Sequence, residues 1–318
     1  MTLYPLLLEP TLHVKVWGGR RLQTVMDKPL PTDEPYGEAW ELHDTARVVN
    51  GDLVGKTLAD LLTEYGTDLI GDENDPSEGF PLLAKLLDTE DWLSVQVHPN
   101  DEQARELEGD PRGKTEAWII LAAEPDSQLV IGVKGGTSRD AVATAIRENR
   151  LEELLVYQNV KAGDVLFIAA GTIHAIGPGI LLYEIQQSSD MTYRLYDWGR
   201  MGLDGKPRPL HIEKSLQVAT VESLPEIVST PDDGRTVSNL VQSEYFSTDL
   251  HRFNDPSVKT VLDTLGQIFH ILTCIEGEVQ VVYGDRVVEM QKGRTVLIPA
   301  CLGQYELRGV GRLLKSMQ

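Results

Sequence analysis

Lys161-Ala-Gly-Asp-Val-Leu-Phe-Ile-Ala-Ala-Gly-Thr-Ile-His174 aligns without gaps to Gln291-Lys-Gly-Arg-Thr-Val-Leu-Ile-Pro-Ala-Cys-Leu-Gly-Gln304, at a constant offset of 130. Gly163 meets Gly293, Val165 meets Thr295, Leu166 meets Val296 and Ile168 meets Ile298. Each copy reads as a glycine turn, a short buried strand, and a corner of small residues or proline. The repeat implies two units of one β architecture. Further short apolar runs between Gly and Pro lie at 93–97, 117–122, 128–132, 180–186 and 279–282, with the repeat strands at 164–169 and 295–299. Many short strands at this spacing predict a β-sandwich or barrel with appended helices.

Helices are few. Thr57 with Asp60 forms a capping box ahead of the Leu58, Leu61, Leu62 stripe, which predicts a helix over 56–71. Asn100 with Gln103 starts a second, over 100–109, that Gly109 ends. Ser138 opens a third, over 138–158, with Ala141, Ala145, Leu151, Leu154 and Leu155 as its apolar positions. A polar, breaker-rich stretch from 220 to 240, including Ser223, Pro225, Pro231, Asp232 and Gly234, reads as a linker. It divides the chain into a larger unit, 1–220, and a smaller one, 240–318.

With 29 basic and 49 acidic side chains among 318 residues, the net charge is −20. Nucleic acid and anionic membrane surfaces are therefore poor partners, and no protein partner is inferred. Two cysteines, Cys274 and Cys301, are too few for a disulfide scaffold and point to a reduced, cytoplasmic setting, with both thiols expected buried and inert. The opening residues lack a basic region, and Pro5 and Glu9 interrupt their apolar run, so no signal peptide is expected. Residues 165–183 carry no charge, yet Gly171, Gly177, Pro178 and Gly179 break them repeatedly. Two buried strands joined by turns fit that pattern better than a membrane span.

Chemistry concentrates at Leu93-Ser-Val-Gln-Val-His-Pro99. Alternation places Ser94, Gln96 and His98 on one strand face and Val95 with Val97 on the other. Side chains two apart on a strand reach the same ion. Glu116 starts another apolar strand, and His174 closes the first repeat copy where the second copy has Gln304. Gln96, His98, Glu116 and His174 make an N/O donor set suited to zinc and tolerable to manganese, cobalt or nickel. Without a thiolate the set favours a catalytic metal over a structural one, and the second unit is expected to hold none. His13, His43, His211, His251 and His270 lack a second ligand at useful spacing. Tyr193, Tyr196 and Trp198 read equally as core and as the wall of a sugar site.

The corner from Gly163 to His174 resembles the second motif of the cupin superfamily, and its copy at Gly293 a degenerate one. Val16-Trp-Gly-Gly-Arg-Arg-Leu22, Gly37-Glu-Ala-Trp-Glu41, Phe80-Pro-Leu-Leu-Ala-Lys85, Ser94-Val-Gln-Val-His-Pro-Asn-Asp101, Lys114-Thr-Glu-Ala-Trp118 and Asp190-Met-Thr-Tyr-Arg194 run in the order found in type I mannose-6-phosphate isomerases. The chain resembles their short bacterial form over nearly its whole length. The resemblance implies a mainly β fold of two cupin (jelly-roll) barrels with a small helical satellite. It implies one zinc ion on Gln96, His98, Glu116 and His174. It matches Arg194 and Lys114 to active-site residues, and Lys85 and Ser94 to residues lining a sugar-phosphate pocket. Where longer members have His-Lys-Pro-Glu, this chain has Gly113-Lys-Thr-Glu, so a proton-transfer role for that histidine is absent here.

Aldose–ketose interconversion removes a weakly acidic proton beside a carbonyl and returns it one carbon away. A zinc ion polarises the carbonyl and stabilises the enediolate, while a positioned base shuttles the proton. Arg194 offers a planar fork to an enediolate oxygen or a phosphate, and Lys85 or Lys114 a point charge. The plain alternative for Arg194 is a surface ion pair with Asp190 or Asp197. The rival functions are another cupin sugar-phosphate isomerase and a non-catalytic sugar-binding cupin. A metal oxygenase fits Gln96-Val-His98 less well. A divalent cation with Lys85, Lys114 and Arg194 locally outweighs the acidic surface, so an anionic sugar phosphate remains an acceptable ligand.

Overall fold

The computed structural model describes residues 2–222, 224–231 and 233–318; Ser223 and Asp232 of the expected linker lie outside them. The chain is mainly β. A seven-stranded antiparallel sheet runs in the order Ile227–Ser229, Asp164–Ile168, Glu116–Ala123, Ile180–Gln187, Leu82–Thr89, Tyr36–Leu42 and Thr11–Gly19. Packed across it are a three-stranded sheet (Ala175–Ile176, Gln128–Val133, Leu155–Asn159) and the pair Tyr193–Tyr196 with Val95–Val97. These close the first barrel. The second is one nine-stranded sheet built on two long strands, His270–Tyr283 and Gln304–Met317.

The two glycines of the repeat explain its shape. Gly163 has φ +89° and Gly293 φ +82°, a region costly for any residue with a Cβ. A Cβ on Gly293 would lie 2.0 Å from the Met26 carbonyl oxygen, so the turn is also closely packed. Each glycine feeds its strand, Asp164–Ile168 or Thr295–Ile298, at equivalent positions.

Strands Leu82–Thr89 and Ile180–Gln187 are buried at every position because both sheet faces are covered. Ala117, Ile119, Tyr183, Ile185, Ala84 and Leu86 join a core shared with Leu250, Ile271, Leu272 and Leu314 of the second barrel. Trp118, Ile120, Leu87 and Leu182 point the other way, into the first barrel. That double burial accounts for the charge-free run at 165–183. Among the described residues no helix is long and apolar enough to cross a membrane.

Local signals correct several expectations. The first helical region splits at Gly66 (φ +51°) into Leu58–Tyr65 and Thr67–Ile70. The second is the helix Asp101–Glu108, with its capping box. The third ends early: Ser138 caps Arg139–Arg147, Asn149 turns left-handed at φ +55°, and Leu155–Asn159 is a strand paired with Gln128–Val133. Its buried face is Val142, Ala143, Ala145 and Ile146, with Ala141 exposed. A further helix, Ile212–Val218, packs on Tyr193–Tyr196 without a sequence signal having marked it. Inside the expected linker, Ile227–Ser229 extends the first barrel's sheet and Val237–Gln242 begins the second's. The strand Leu6–Glu9 pairs with Thr295–Ile298, so the first strand of the chain belongs to the second barrel's sheet. Cys274 is buried, but Cys301 sits exposed in a 3-10 turn, Ala300–Leu302, rather than in a strand.

Candidate metal centre and active site

Strand registry assembles the site. Gln96 exchanges backbone hydrogen bonds of 2.9 Å with His174 on one side, and pairs with Arg194 on the other. Across the barrel, Glu116 pairs with Gln186, and Trp118 with Glu184, which in turn pairs with Lys85. Glu116, Trp118 and Ile120 face inward, so both rows point into one interior.

There His98, Glu116 and His174 converge, with one donor atom from each lying within 4.8 Å of the others. All three side chains are about 1% exposed. His98 Nδ1 lies 2.7 Å from the Met191 carbonyl and His174 Nδ1 2.9 Å from the Thr172 carbonyl. Carbonyls only accept, so each Nδ1 carries the proton and each Nε2 presents a lone pair. Burial first, and the Lys114 charge second, push His98 well below its ordinary value and His174 down to about 4, so both rings are neutral.

The donor set fits a cation. Glu116 Oε1 is buried without a hydrogen-bond partner, 3.3 Å from the His174 Nε2 lone pair. Electron pairs facing each other in a buried space leave an unmet demand for positive charge. Lys114 meets part of it, with Nζ donating to His98 Nε2 at 3.0 Å and to Glu116 Oε2 at 2.5 Å. Gln96 points its amide nitrogen at His174 Nε2, 3.3 Å away, and a 180° amide turn brings its oxygen there instead. Burial pushes the Glu116 carboxyl up, against the pull of Lys114.

Beside this group lies a cavity of ≈ 270 Å³ whose wall includes Lys85, Ser94, Gln96, Lys114 and Arg194. All eight residues singled out in the sequence thus meet at one place. Arg194 is half-buried and pairs with neither Asp190 nor Asp197; its Nη1 donates to the Pro209 carbonyl at 2.9 Å. Tyr193, Tyr196 and Trp198 turn away, into the core beneath the helices, and their polar tips bond Glu108, Glu152 and the Leu93 carbonyl. A larger cavity, ≈ 900 Å³, lies elsewhere, between the N-terminal segments and the second barrel, and holds none of these residues.

The wall also holds Glu38, Glu184 and Arg208, which sequence reasoning missed. Glu184 bonds Lys85 at 3.1 Å and accepts from Trp118 Nε1 at 2.9 Å. Desolvation would drag the Lys85 ammonium down, but Glu184 and Glu38 outweigh it and hold the pKa above the usual lysine range. Lys85 is therefore a fixed positive charge, not a base. Glu38, against a desolvation that raises it, is held down to about 2 by Lys85 and Lys15. A signal was present: Glu184 is the one charge in Ile180–Gln187, and Lys85 interrupts the apolar run from Leu82 to Leu87.

The second barrel carries different residues at matching places. Ile168 pairs with Glu116, and its repeat partner Ile298 pairs with His270. Two residues on, Trp118 leads across to Glu184 and Lys85, and Leu272 leads across to Lys315 and Asp249. The ion pair there, 3.1 Å, has its charges reversed. Gln304, opposite His174 in the repeat, is exposed.

Residues 6–125 match the family described as phosphomannose isomerase type I, catalytic domain, and residues 236–318 match the mannose-6-phosphate isomerase cupin domain. The chain is 36% identical to mannose-6-phosphate isomerase ManA of Bacillus subtilis (strain 168), over 99% of both chains. It is 34% identical to a mannose-6-phosphate isomerase of Streptococcus mutans, over 98% of both. The crystal structure of the mannose 6-phosphate isomerase from Bacillus subtilis superposes with a TM-score of 0.89 at 32% identity, covering 99% of each chain. The two-barrel β fold, the inward-facing ligand rows and these full-length likenesses agree: the chain belongs to the type I phosphomannose isomerase family.

Proposed function

We propose that the protein interconverts mannose 6-phosphate and fructose 6-phosphate with one zinc ion held by Gln96, His98, Glu116 and His174. The observation that carries this reading is the buried convergence of two imidazole lone pairs and an unpartnered carboxylate oxygen on the wall of a cationic cavity. An N/O donor set of this kind suits zinc, which supplies Lewis-acid polarisation of a carbonyl when bound. The relatives' names carry the substrate class.

This chain's own residues do the rest. Lys85, fixed as an ammonium by Glu184 and Glu38, offers a point charge to sugar oxygens in a site where charge interactions are strong. Ser94, whose hydroxyl lies 3.3 Å from the Gln96 amide, accepts from its nitrogen once the amide turns its oxygen toward the donor set. Lys114 is the titratable nitrogen closest to the donor set, and it holds or moves a proton at Nζ. Arg194 presents its fork to the substrate from the row that contains Gln96. The metal is assigned to residues 1–220, and 240–318 serve as a supporting barrel without one. A reducing, cytoplasmic setting agrees with two unpaired cysteines, one exposed.

The test is direct. Fructose 6-phosphate formation from mannose 6-phosphate is followed before chelation, after it, and after zinc is returned. Activity should disappear and come back; activity surviving complete metal removal would overturn the mechanism.

A further inference from the structure

Trp40 bears on two charges at once. It stands opposite Lys85 in the pairing of Tyr36–Leu42 with Leu82–Thr89, and two residues from Glu38 on its own strand, so the three side chains share one face. Its indole Nε1 donates to Glu38 Oε2 at 2.7 Å, and Lys85 Nζ lies over the ring, 5.3 Å from its centroid. The other oxygen of Glu38, Oε1, takes Lys15 at 3.1 Å. Both oxygens of Glu38 are thus held by partners other than Lys85. Among the described residues Lys85 makes its ion pair with Glu184, at 3.1 Å. The indole is itself wedged, with the His13 ring tilted at 4.4 Å and the His43 ring edge-on at 4.6 Å. Glu38 and Lys85 line the cavity and Trp40 does not, so its influence there runs through those two residues.

We propose that Trp40 is a positioning residue for substrate binding: by holding Glu38 off Lys85 it keeps one ammonium proton of Lys85 free for a sugar oxygen. The inference rests on the isomerase reading above and deepens it by naming what keeps a buried cation available to the substrate. An ammonium has three protons. Glu184 takes one, the negative face of the indole attracts another, and the third remains for the cavity. Lys85 already exerts the strongest attraction on Glu38, so a carboxylate released by the indole turns to Lys85 and takes that third proton. An indole suits the task because one rigid side chain carries both a donor and a flat negative face.

The experiment compares wild type with Trp40→Phe, which keeps a ring against Lys85 but removes the donor, and Trp40→Leu, which removes both. All measurements are made well below each variant's melting transition. Values of kcat and KM are obtained on mannose 6-phosphate. Calorimetry gives the dissociation constant of the alditol phosphate formed by reducing that sugar, which has no carbonyl to isomerise. Trp40→Phe should raise both KM and this dissociation constant about tenfold, the scale of one hydrogen bond to a charged group, with kcat within about threefold of wild type. Trp40→Leu should lose more, because the ring's attraction for the ammonium goes too. On a Glu38→Gln background, Trp40→Phe should change KM by less than about threefold, since a neutral amide does not compete for Lys85. An unchanged KM in Trp40→Phe, a loss confined to kcat, or the same tenfold loss on the Glu38→Gln background would overturn the proposal. If wild type does not isomerise mannose 6-phosphate, the isomerase reading fails, while the alditol phosphate titrations still decide whether Trp40 keeps Lys85 free.

Discussion

Lys114 and Glu116 share a buried hydrogen bond, with Nζ 2.5 Å from Oε2, and the same nitrogen lies 3.0 Å from His98 Nε2. A lysine two residues before the carboxylate that opens the strand Glu116–Ala123 therefore points at the lone pairs that define the donor set. Its ammonium and a bound cation answer to the same two atoms.

From this follows the first expectation. Lys114→Met keeps length and removes the charge, and should lower kcat by about 10²–10⁴, the usual worth of a positioned acid or base. Zinc content after dialysis should stay near one per chain. A variant with full kcat would remove Lys114 from the chemistry, and one without zinc would make it a support for the metal.

His174 and Gln304 occupy matching places in the two repeat copies, one buried and one exposed. His174→Ala should weaken zinc binding by more than about 100-fold, since loss of a ligand's mere supporting partner costs about 10–100-fold. Gln304→Ala should leave zinc binding as it was. Equal losses in a metal titration would refute a single site in the first barrel.

The Lys85–Glu184 pair is buried on both sides, at about 5% and 4% exposure. Lys85→Met strands Glu184 without its cation, while Glu38 keeps Lys15, and should cost about 3–5 kcal/mol in urea unfolding. Adding Glu184→Gln removes one stranded charge and should return part of that loss. A double variant less stable than Lys85→Met alone would contradict the pairing.

Acid should loosen the second barrel. Burial, followed by the Lys315 charge, lowers His251 from 6.5 to about 4 and His270 to about 3, against the smaller upward pull of Asp249 and, for His270, Asp263. The unfolded chain therefore binds protons before the folded one. Stability from these rings is fully present above about pH 6.5 and declines toward their folded values of about 4 and 3. His251 has no partner at either ring nitrogen, so His251→Leu should flatten the fall of urea midpoint between about pH 7 and 4.5. An unchanged slope would place the acid sensitivity elsewhere.

What the sequence disclosed was local. The repeat was legible because Gly163 and Gly293 take backbone angles that other residues avoid, and the capping boxes because their partners lie three residues apart. Gln96, His98 and Glu116 were legible through strand alternation. Non-local pairings were not. Nothing near Leu6 announces Leu297 as its neighbour, and nothing near Arg208 announces Asp197 as a carboxylate it shares with Arg200. The helix expected to run to residue 158 failed because Leu155–Asn159 gains more from a ladder with Gln128–Val133 than its helical spacing offers. Glu38 and Glu184 escaped notice because isolated carboxylates are ordinary until the cations facing them are known.

The pairing of Leu6–Glu9 with Thr295–Ile298 also has a bearing on biogenesis. On the ribosome, the strand Leu6–Glu9 meets Arg47–Val48 on one edge early, while its other edge waits for Thr295–Ile298, roughly 290 residues later, about 15–60 s at ordinary elongation rates. Throughout that interval a sticky apolar edge is open to chaperones or to another nascent chain. The first barrel has all its ladders well before then, so its assembly can precede release. The second closes only afterwards, and a chain interrupted before residue 295 would leave one edge of Leu6–Glu9 permanently unmatched.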